Sequence, residues 1–312
     1  MGLGLVLGTL PVAGATAPYD PTPVVPKDTI VLFDGAKVTD LTRFYTWLPA
    51  HGYTDPNRVF TVVDYLDGGP AIRISGQDFG GLVTKQSYAN YHLVVEYRWG
   101  AVTWKPRADK VRNSGILLHC QGEDGNLAKN FRSPWISSVE YEIAEGITGD
   151  LLLLSGYVRG SDRRLRPRLR APARWGAYPD SPDGKPPSTA SQPTGPGRVG
   201  YRVWHPQGVP MEFAAGEVGR VEWLEKDPAW TNELGFRGRR EVERPVGEWN
   251  RVEAIADGGR LTFWLNGVKI NEATDCTPSD GRLLFQSEGS EVFYRRIEVH
   301  PVGKIEVAKA RR

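Results

Sequence analysis

Ser138-Val139-Glu140-Tyr141-Glu142-Ile143 alternates without a break, and that alternation decides the fold. In an extended chain successive side chains point to opposite faces, so Val139, Tyr141 and Ile143 share one side while Glu140 and Glu142 share the other. The same period of two recurs outward from this stretch. Tyr91-His92-Leu93-Val94-Val95-Glu96-Tyr97-Arg98 puts Tyr91, Leu93, Val95 and Tyr97 on one face and Glu96 and Arg98 on the other. Asn113-Ser114-Gly115-Ile116-Leu117-Leu118-His119-Cys120 aligns Asn113, Gly115, Leu117 and His119. Further on, Trp249 to Ile255, Asp257-Gly258-Gly259 and Arg260 to Leu265 read as a hairpin with a Gly-containing turn. Asn266-Gly267 is a type I′ signal leading into Val268-Lys269-Ile270, and Arg282 to Gln286 and Val292 to Val299 add two strands. Sustained helical periodicity is absent. These readings predict an all-β domain, a two-sheet antiparallel sandwich.

Composition bounds the function. Hydrophobic residues are 40% and charged residues 24% of 312, which supports a packed core and excludes wholesale disorder. Gly (36) and Pro (24) with 10 Trp, 12 Tyr and 10 Phe suit short strands joined by turns. Lys+Arg 39 against Asp+Glu 37 leaves a net charge of +2, too little to draw in nucleic acid. No run of about 18 apolar residues occurs, so no membrane span is expected. The oligomeric state is left open.

Residues 1–17 read as a signal-like segment, with Ala13-Gly14-Ala15 and Ala15-Thr16-Ala17 as cleavage candidates, and imply export to the periplasm or beyond the cell. Residues 18–28 read as a Pro-rich linker, 29–303 as a single sandwich domain and 304–312 as a basic tail. Within the domain, residues 157–215 break the strand pattern. Arg159, Arg163, Arg164, Arg166, Arg168, Arg170 and Arg174 crowd the first half and Pro and Ser the second, which predicts a solvated insertion loop. In an exported protein Cys120 and Cys276 could pair, closing a long loop that constrains the unfolded chain by about 4–5 kcal/mol. The alternative is that Cys120 is a small buried hydrophobe.

The polar sides of the strands carry the chemistry. Period two sends Glu96 with Arg98, Asn113 with His119, Glu140 with Glu142, and Gln286 with Glu288 to one face each. Such faces make poor core and a good floor for a sugar. The two acids inside an apolar-alternating strand are the sharpest feature, because burying them is costly without a purpose. A lone His at a strand end is as readily a hydrogen-bonded structural residue, and Glu96 and Arg98 can serve to balance a neighbouring strand's charge. Trp249 and Trp264 read as core or sheet-surface aromatics, and Asp34-Gly35 and Asn266-Gly267 as turns.

A set of short motifs runs in order along the chain: Leu32-Phe33-Asp34-Gly35, Gly80-Gly81-Leu82-Val83-Thr84-Lys85, Tyr91 to Arg98, Asn113-Ser114-Gly115-Ile116 and Glu140-Tyr141-Glu142-Ile143-Ala144-Glu145-Gly146. Gly247-Glu248-Trp249-Asn250, Leu265-Asn266-Gly267, Leu284-Phe285-Gln286-Ser287-Glu288-Gly289 and Phe293-Tyr294-Arg295-Arg296-Ile297 complete it. Together they resemble the 3-keto-disaccharide hydrolase family over roughly residues 29–302, outside the insertion. Many members carry Gln where Glu142 stands and His where Glu288 stands. The resemblance implies a concanavalin A-like (lectin/glucanase) jelly-roll sandwich and activity on glycosides whose C3 hydroxyl is oxidised to a ketone. A base would remove the acidified proton at C2, and the anomeric substituent would leave by elimination, with water adding back afterwards.

Under that resemblance His119 and Glu142 are the candidate bases and Glu140 the leaving-group acid or a metal ligand. Arg98 or Lys85 would be the oxyanion partner. Asn113, Glu96, Gln286 and Glu288 would bind substrate. One divalent metal ion, held by His119 with Glu140 or Glu142, would polarise the ketone, and no organic cofactor is required. Two other functions compete. Glu140-x-Glu142-x-x-Glu145 is similar to the Glu-x-Asp-x-x-Glu signature of retaining β-glucanases, whose two carboxylates stand about 5–5.5 Å apart. A non-catalytic, carbohydrate-binding lectin-like module is the third reading, since fold alone does not prove catalysis.

Overall fold

A computed structural model of the chain describes residues 18–175, 202–217 and 219–309. The signal-like segment 1–17, residues 176–201 of the insertion and the end of the basic tail lie outside the described residues. Numbered in chain order, one sheet runs β1 (Asp20–Val24), β7 (Gln86–Ala89), β21 (Asp280–Ser287), β9 (Asn113–Gln121), β10 (Ser137–Ala144), β11 (Leu151–Leu154) and β17 (Arg220–Val221). On this first sheet β6 (Gly80–Thr84) also pairs β21, and β3 (Phe44–Trp47) pairs β6. The second sheet runs β15 (Arg202–Trp204), β14 (Arg168–Trp175), β20 (Val268–Thr277), β19 (Arg260–Leu265), β18 (Asn250–Asp257), β8 (Tyr91–Thr103), β22 (Ser290–Pro301), β5 (Ala71–Ile74) and β4 (Phe60–Val63). There β2 (Ile30–Phe33) adds to β22 and β16 (Val209–Ala214) to β14, while β12 (Gly156–Tyr157) and β13 (Arg164–Leu165) form a separate small hairpin.

The expected all-β, two-sheet antiparallel jelly-roll sandwich is therefore the fold. Neighbours in space are mostly not neighbours in sequence, as when β21 separates β7 from β9 and β8 separates β18 from β22. The alternation explains the core. Ile116, Leu118, Val139, Tyr141, Ile143 and Phe285 from the first sheet meet Leu93, Val95, Tyr97, Phe263 and Tyr294 from the second in one buried cluster. Tyr141 lies 4.4 Å from Phe263, and Phe285 meets Tyr294 edge-on at 5.4 Å. Burial of each such side chain contributes about 1.5–3 kcal/mol, which fixes which face of β9, β10 and β21 is left for polar residues. The Gly258-Gly259 and Asn266-Gly267 turns have the positive φ angles that the hairpin reading requires. Among the described residues no helix is long and apolar enough to cross a membrane.

Three expectations change. The Pro-rich stretch is no free linker: β1 docks parallel on β7, with Asp20 opposite Gln86 and Val24 opposite Tyr88, an edge position where proline's missing N–H is tolerated. The arginine run is only in part a loop: Arg159, Arg163 and Arg166 are exposed outside the strands. Along β14, Leu169, Ala171 and Ala173 are buried while Arg168, Arg170 and Arg174 are exposed, so these three are the wet face of a strand that extends the second sheet. Cys120 and Cys276 are both buried free thiols, so the small-hydrophobe reading holds and the disulfide does not.

Candidate active site

The face of the first sheet turned away from the core carries two adjacent rows of side chains. Antiparallel register places Arg220, Leu152, Glu140, Leu117, Leu284, Val83 and Tyr45 in one row. The next row holds Asp150, Glu142, Gly115, Gln286, Gly81 and Trp47. The acids of β10 thus share a face with Gln286, as period two requires. Gly115 lets them converge: a Cβ there would come within 2.5 Å of the Glu140 Oε1 and 2.6 Å of the Gln286 Oε1. Any larger residue would push the carboxyl and the amide apart. Asn113 joins from the same strand, its Nδ2 donating to the Glu288 Oε1 at 3.2 Å. Glu140, Glu142, Gln286, Glu288 and Asn113 are therefore brought together.

Electrostatics divide the three carboxyl groups. Burial, with the charges of Glu142 and Glu288 added to it, holds Glu140 well above the usual carboxylate range. Burial also raises Glu142, but the cations of Arg220, Arg107 and Lys226 oppose it, while the Asp150 charge adds to it. Glu288 is pushed up to about 8 by burial and by Glu142, partly offset by Arg107, whose Nη1 lies 3.7 Å from its Oε1. Arg220 is anchored by Asp150, which accepts from its Nε at 2.9 Å and from the Trp223 backbone N–H at 2.8 Å. Lys226 bridges Glu222 at 2.6 Å and Asp150 at 3.3 Å. Burial works to raise Asp150, and Lys226 and Arg220 outweigh it, so this acid stays below the usual range. Asn113 Oδ1, Gln286 Oε1 and Arg107 Nε are buried and have no hydrogen-bond partner among the described residues. Three orphaned polar atoms around three raised carboxyls mark a place built to receive a polar ligand.

Other expected site residues lie elsewhere. His119 sits in a β-bulge, where three residues of β9 span two of β10, and its φ of 56° is left-handed. The bulge turns its ring to the interior, edge-on to Tyr91 at 5.7 Å, while its Nδ1 donates to the Pro278 carbonyl at 3.0 Å. Burial lowers its pKa to about 4. Glu140 and Glu142 are on the opposite side of the sheet, so neither forms the expected metal pair with it, and His119 is no base for the site. Among the described residues no group of three or more His, Cys, Asp or Glu side chains could hold a metal ion. Glu96 and Arg98 belong to β8 on the second sheet and face outward there. Glu96 pairs with Arg295 at 2.5 Å, and Arg98 pairs with Asp67 and covers Trp249. Lys85 is exposed at the corner between β6 and β7, its backbone bonded to Arg43 and Asp20.

Arg107, Arg220, Lys226 and Asp150 were not anticipated. Arg107 comes from the loop before β9, and Arg220 and Lys226 from a segment beyond the insertion, so no local pattern announces them. Asp150 was legible: it immediately precedes the apolar run Leu151-Leu152-Leu153-Leu154, which folds back on β10 and sets the acid beside Glu142.

An antiparallel sandwich with acids, amides and arginines gathered on the outer face of one sheet belongs to the carbohydrate-active class of β proteins. More particularly, this chain belongs to the family of 3-keto-α-glucoside-1,2-lyase-like domains, whose profile matches residues 28–300. Comparison with curated proteins gave no match. Similar solved structures include a proposed glycosyl hydrolase from Parabacteroides distasonis, 16% identical over 88% of this chain and 94% of that one, TM-score 0.44. A β-glucanase from Bacillus licheniformis is 10% identical over 88% of this chain and 98% of that one, TM-score 0.37. Carbohydrate-binding module CBM66 from Bacillus subtilis is 8% identical over 77% and 91%, TM-score 0.36.

Proposed function

We propose that the chain cleaves 3-keto-glycosides by eliminating the substituent at C1. The observation that carries this reading is the convergence of three carboxyl groups of unequal proton affinity beside the half-buried guanidinium of Arg107, whose Nε has no partner among the described residues. The C3 ketone acidifies the C2–H bond. Glu142 is the carboxyl most favoured to ionise by nearby cations, and it takes the C2 proton. The electron pair forms an enolate whose oxygen is met by the Arg107 guanidinium. Collapse of the enolate makes the C1–C2 double bond and breaks the C1–O bond. Glu288, still protonated near neutral pH, delivers its proton to the leaving oxygen. Glu140 keeps its proton and orients Gln286, to which it is hydrogen-bonded, toward a substrate hydroxyl. Water adding across C1–C2 then gives the free 3-keto sugar.

Because His119 and Glu140 face opposite sides of the sheet, no step is routed through a metal. The retaining β-glucanase alternative requires Glu145 at the reacting bond. That carboxylate instead accepts from the Arg112 Nη1 at 2.8 Å, the Arg112 backbone N–H at 2.9 Å and the Gly235 N–H at 2.9 Å, a strut between loops. The test is incubation with methyl 3-keto-α-glucoside and its β counterpart while following 2-hydroxy-3-keto-glucal. Product from the keto sugar and none from the unoxidised glucoside is the expected result. Cleavage of the unoxidised glucoside would favour the glucanase mechanism, and binding without turnover of either would favour the lectin-like module.

A further inference from the structure

We propose that Glu145 is a positioning residue for the elimination, fixing the one peptide unit whose carbonyl aims the Arg107 guanidinium at the acid cluster. The inference rests on the reading above for the role of Arg107. Glu145 shares a sequence pattern with Glu140 and Glu142 but not their face. β10 ends at Ala144, and the turn that follows, with Gly146 at a φ of 78°, buries the Glu145 side chain to 2% exposure. Bonds run both ways between Glu145 and Arg112. The Glu145 N–H donates to the Arg112 carbonyl at 3.2 Å, and the carboxylate accepts the Arg112 N–H at 2.9 Å and Nη1 at 2.8 Å. The Arg112 Nε donates to the Gly100 carbonyl of β8 at 3.1 Å, so this side chain ties the end of β10 to the second sheet.

The peptide joining Val111 to Arg112 carries the coupling. Its N–H goes to Glu145, and its C=O accepts the Arg107 Nη2 at 3.3 Å. A trans peptide points these two groups in opposite directions within one rigid plane, so holding the N–H also sets the direction of the C=O. A carboxylate on the N–H polarises the amide and strengthens its oxygen as an acceptor. Arg107 has little else to orient it. Its stem lies over Gly289, where a Cβ would stand 3.1–3.3 Å from the Arg107 Cβ, Cγ and Cδ. Its Nε has no partner among the described residues, and its Nη1 stops 3.7 Å from the Glu288 Oε1, beyond hydrogen-bond reach. The bond to Val111 therefore decides where the guanidinium points.

The test is a double-mutant cycle of E145Q and R107Q on methyl 3-keto-α-glucoside. Glutamine keeps the size of the side chain but offers one acceptor oxygen where three donors converge. Arg107 meets charge that develops only in the transition state, so E145Q should lower kcat by about tenfold with KM within about twofold. In the R107Q background the same substitution should cost less than about twofold. A strut with no link to Arg107 would cost the same in both backgrounds, and that result, or no loss in E145Q, overturns the proposal. If E145Q does not fold, R112K replaces it under the same criteria, since lysine keeps the cation but loses the fork between Gly100 and Glu145. Should the wild type turn over no 3-keto-glucoside, the elimination reading fails, and the positioning is decided without substrate. Glu288 faces Glu140, Glu142 and Arg107, and its titration is then followed by carboxyl NMR. E145Q and R107Q should each move it above about 8, with no further rise in the double variant, whereas an unmoved Glu288 in E145Q sinks the proposal.

Discussion

The outer faces of the two sheets carry the same residue types and do opposite things with them. On the second sheet Glu96, Glu253 and Glu298 each sit against basic side chains. Glu96 meets Arg295 at 2.5 Å and Arg296 at 3.6 Å, and Glu298 meets Arg296 at 2.6 Å and His300 at 2.9 Å. Glu253 meets His92 at 2.7 Å and Arg251 at 2.9 Å. Burial works to raise Glu253, yet His92, Arg251 and the Ala308 N–H prevail and bring it down to about 2. On the first sheet Glu140, Glu142 and Glu288 crowd one another, with Arg107 and Arg220 at the margins, and all three are raised. An acid inside a β-strand is therefore no sign of chemistry by itself. What marks the site is an acid whose charge its surroundings leave uncompensated.

The sharpest way to break this contrast is to remove one acid from each face. E142Q should lower turnover of a 3-keto-glucoside by about a thousandfold with folding intact, while E96Q should stay within about twofold, both read by product formation. Comparable losses in the two would dissolve the distinction. E288Q should reduce kcat/KM by about a hundredfold. On the proposed mechanism the protonated form of Glu288 is the active one, so activity should fall on the alkaline side with an apparent pKa near 8, and E288Q should lose that limb.

Stability offers a third comparison, with opposite signs on the two faces. A carboxyl raised in the folded state contributes fully only below its unfolded pKa, near 4.5, and that contribution is lost as pH rises through the folded value. Urea melts should therefore show E140Q more stable than wild type at pH 8 by about 1–3 kcal/mol, with the gain shrinking toward pH 4. E96Q, which breaks a partly exposed ion pair, should instead cost up to about 1 kcal/mol at pH 8. The smallest effect belongs to His119. H119N keeps a residue that tolerates left-handed backbone, so turnover should be unchanged and stability within about 1 kcal/mol of wild type, less the bond to Pro278. A large loss of kcat in H119N would return the histidine to the chemistry.

The alternation of Val139, Tyr141 and Ile143 with Glu140 and Glu142 was enough to read the sandwich and to find its acids, because burial of an apolar face leaves a strand one choice of side. Parity does not say which sheet a strand joins, and so Glu96 and Arg98, in a strand of the same pattern, were drawn into the site. It also fails across a bulge, and one left-handed residue turned His119 inward. The arginine stretch failed for the reverse reason. Arg168, Arg170 and Arg174 alternate with Leu169, Ala171 and Ala173 as cleanly as any strand here, and charge masked the period. Arg107 and Arg220 reach the site through long-range packing of loops, which local periodicity does not encode.

The bulge at position 119 has a meaning for how this protein can change over time. Leu117 and Cys120 face outward and Leu118 inward, and that order is the same whether or not the extra residue is counted. Loss of the residue at this point would leave the strand's two-sided pattern intact, whereas the same event at Gly115 would turn the acid-bearing floor upside down. Deletions among descendants of this chain should accordingly gather at 119 and spare 113–118.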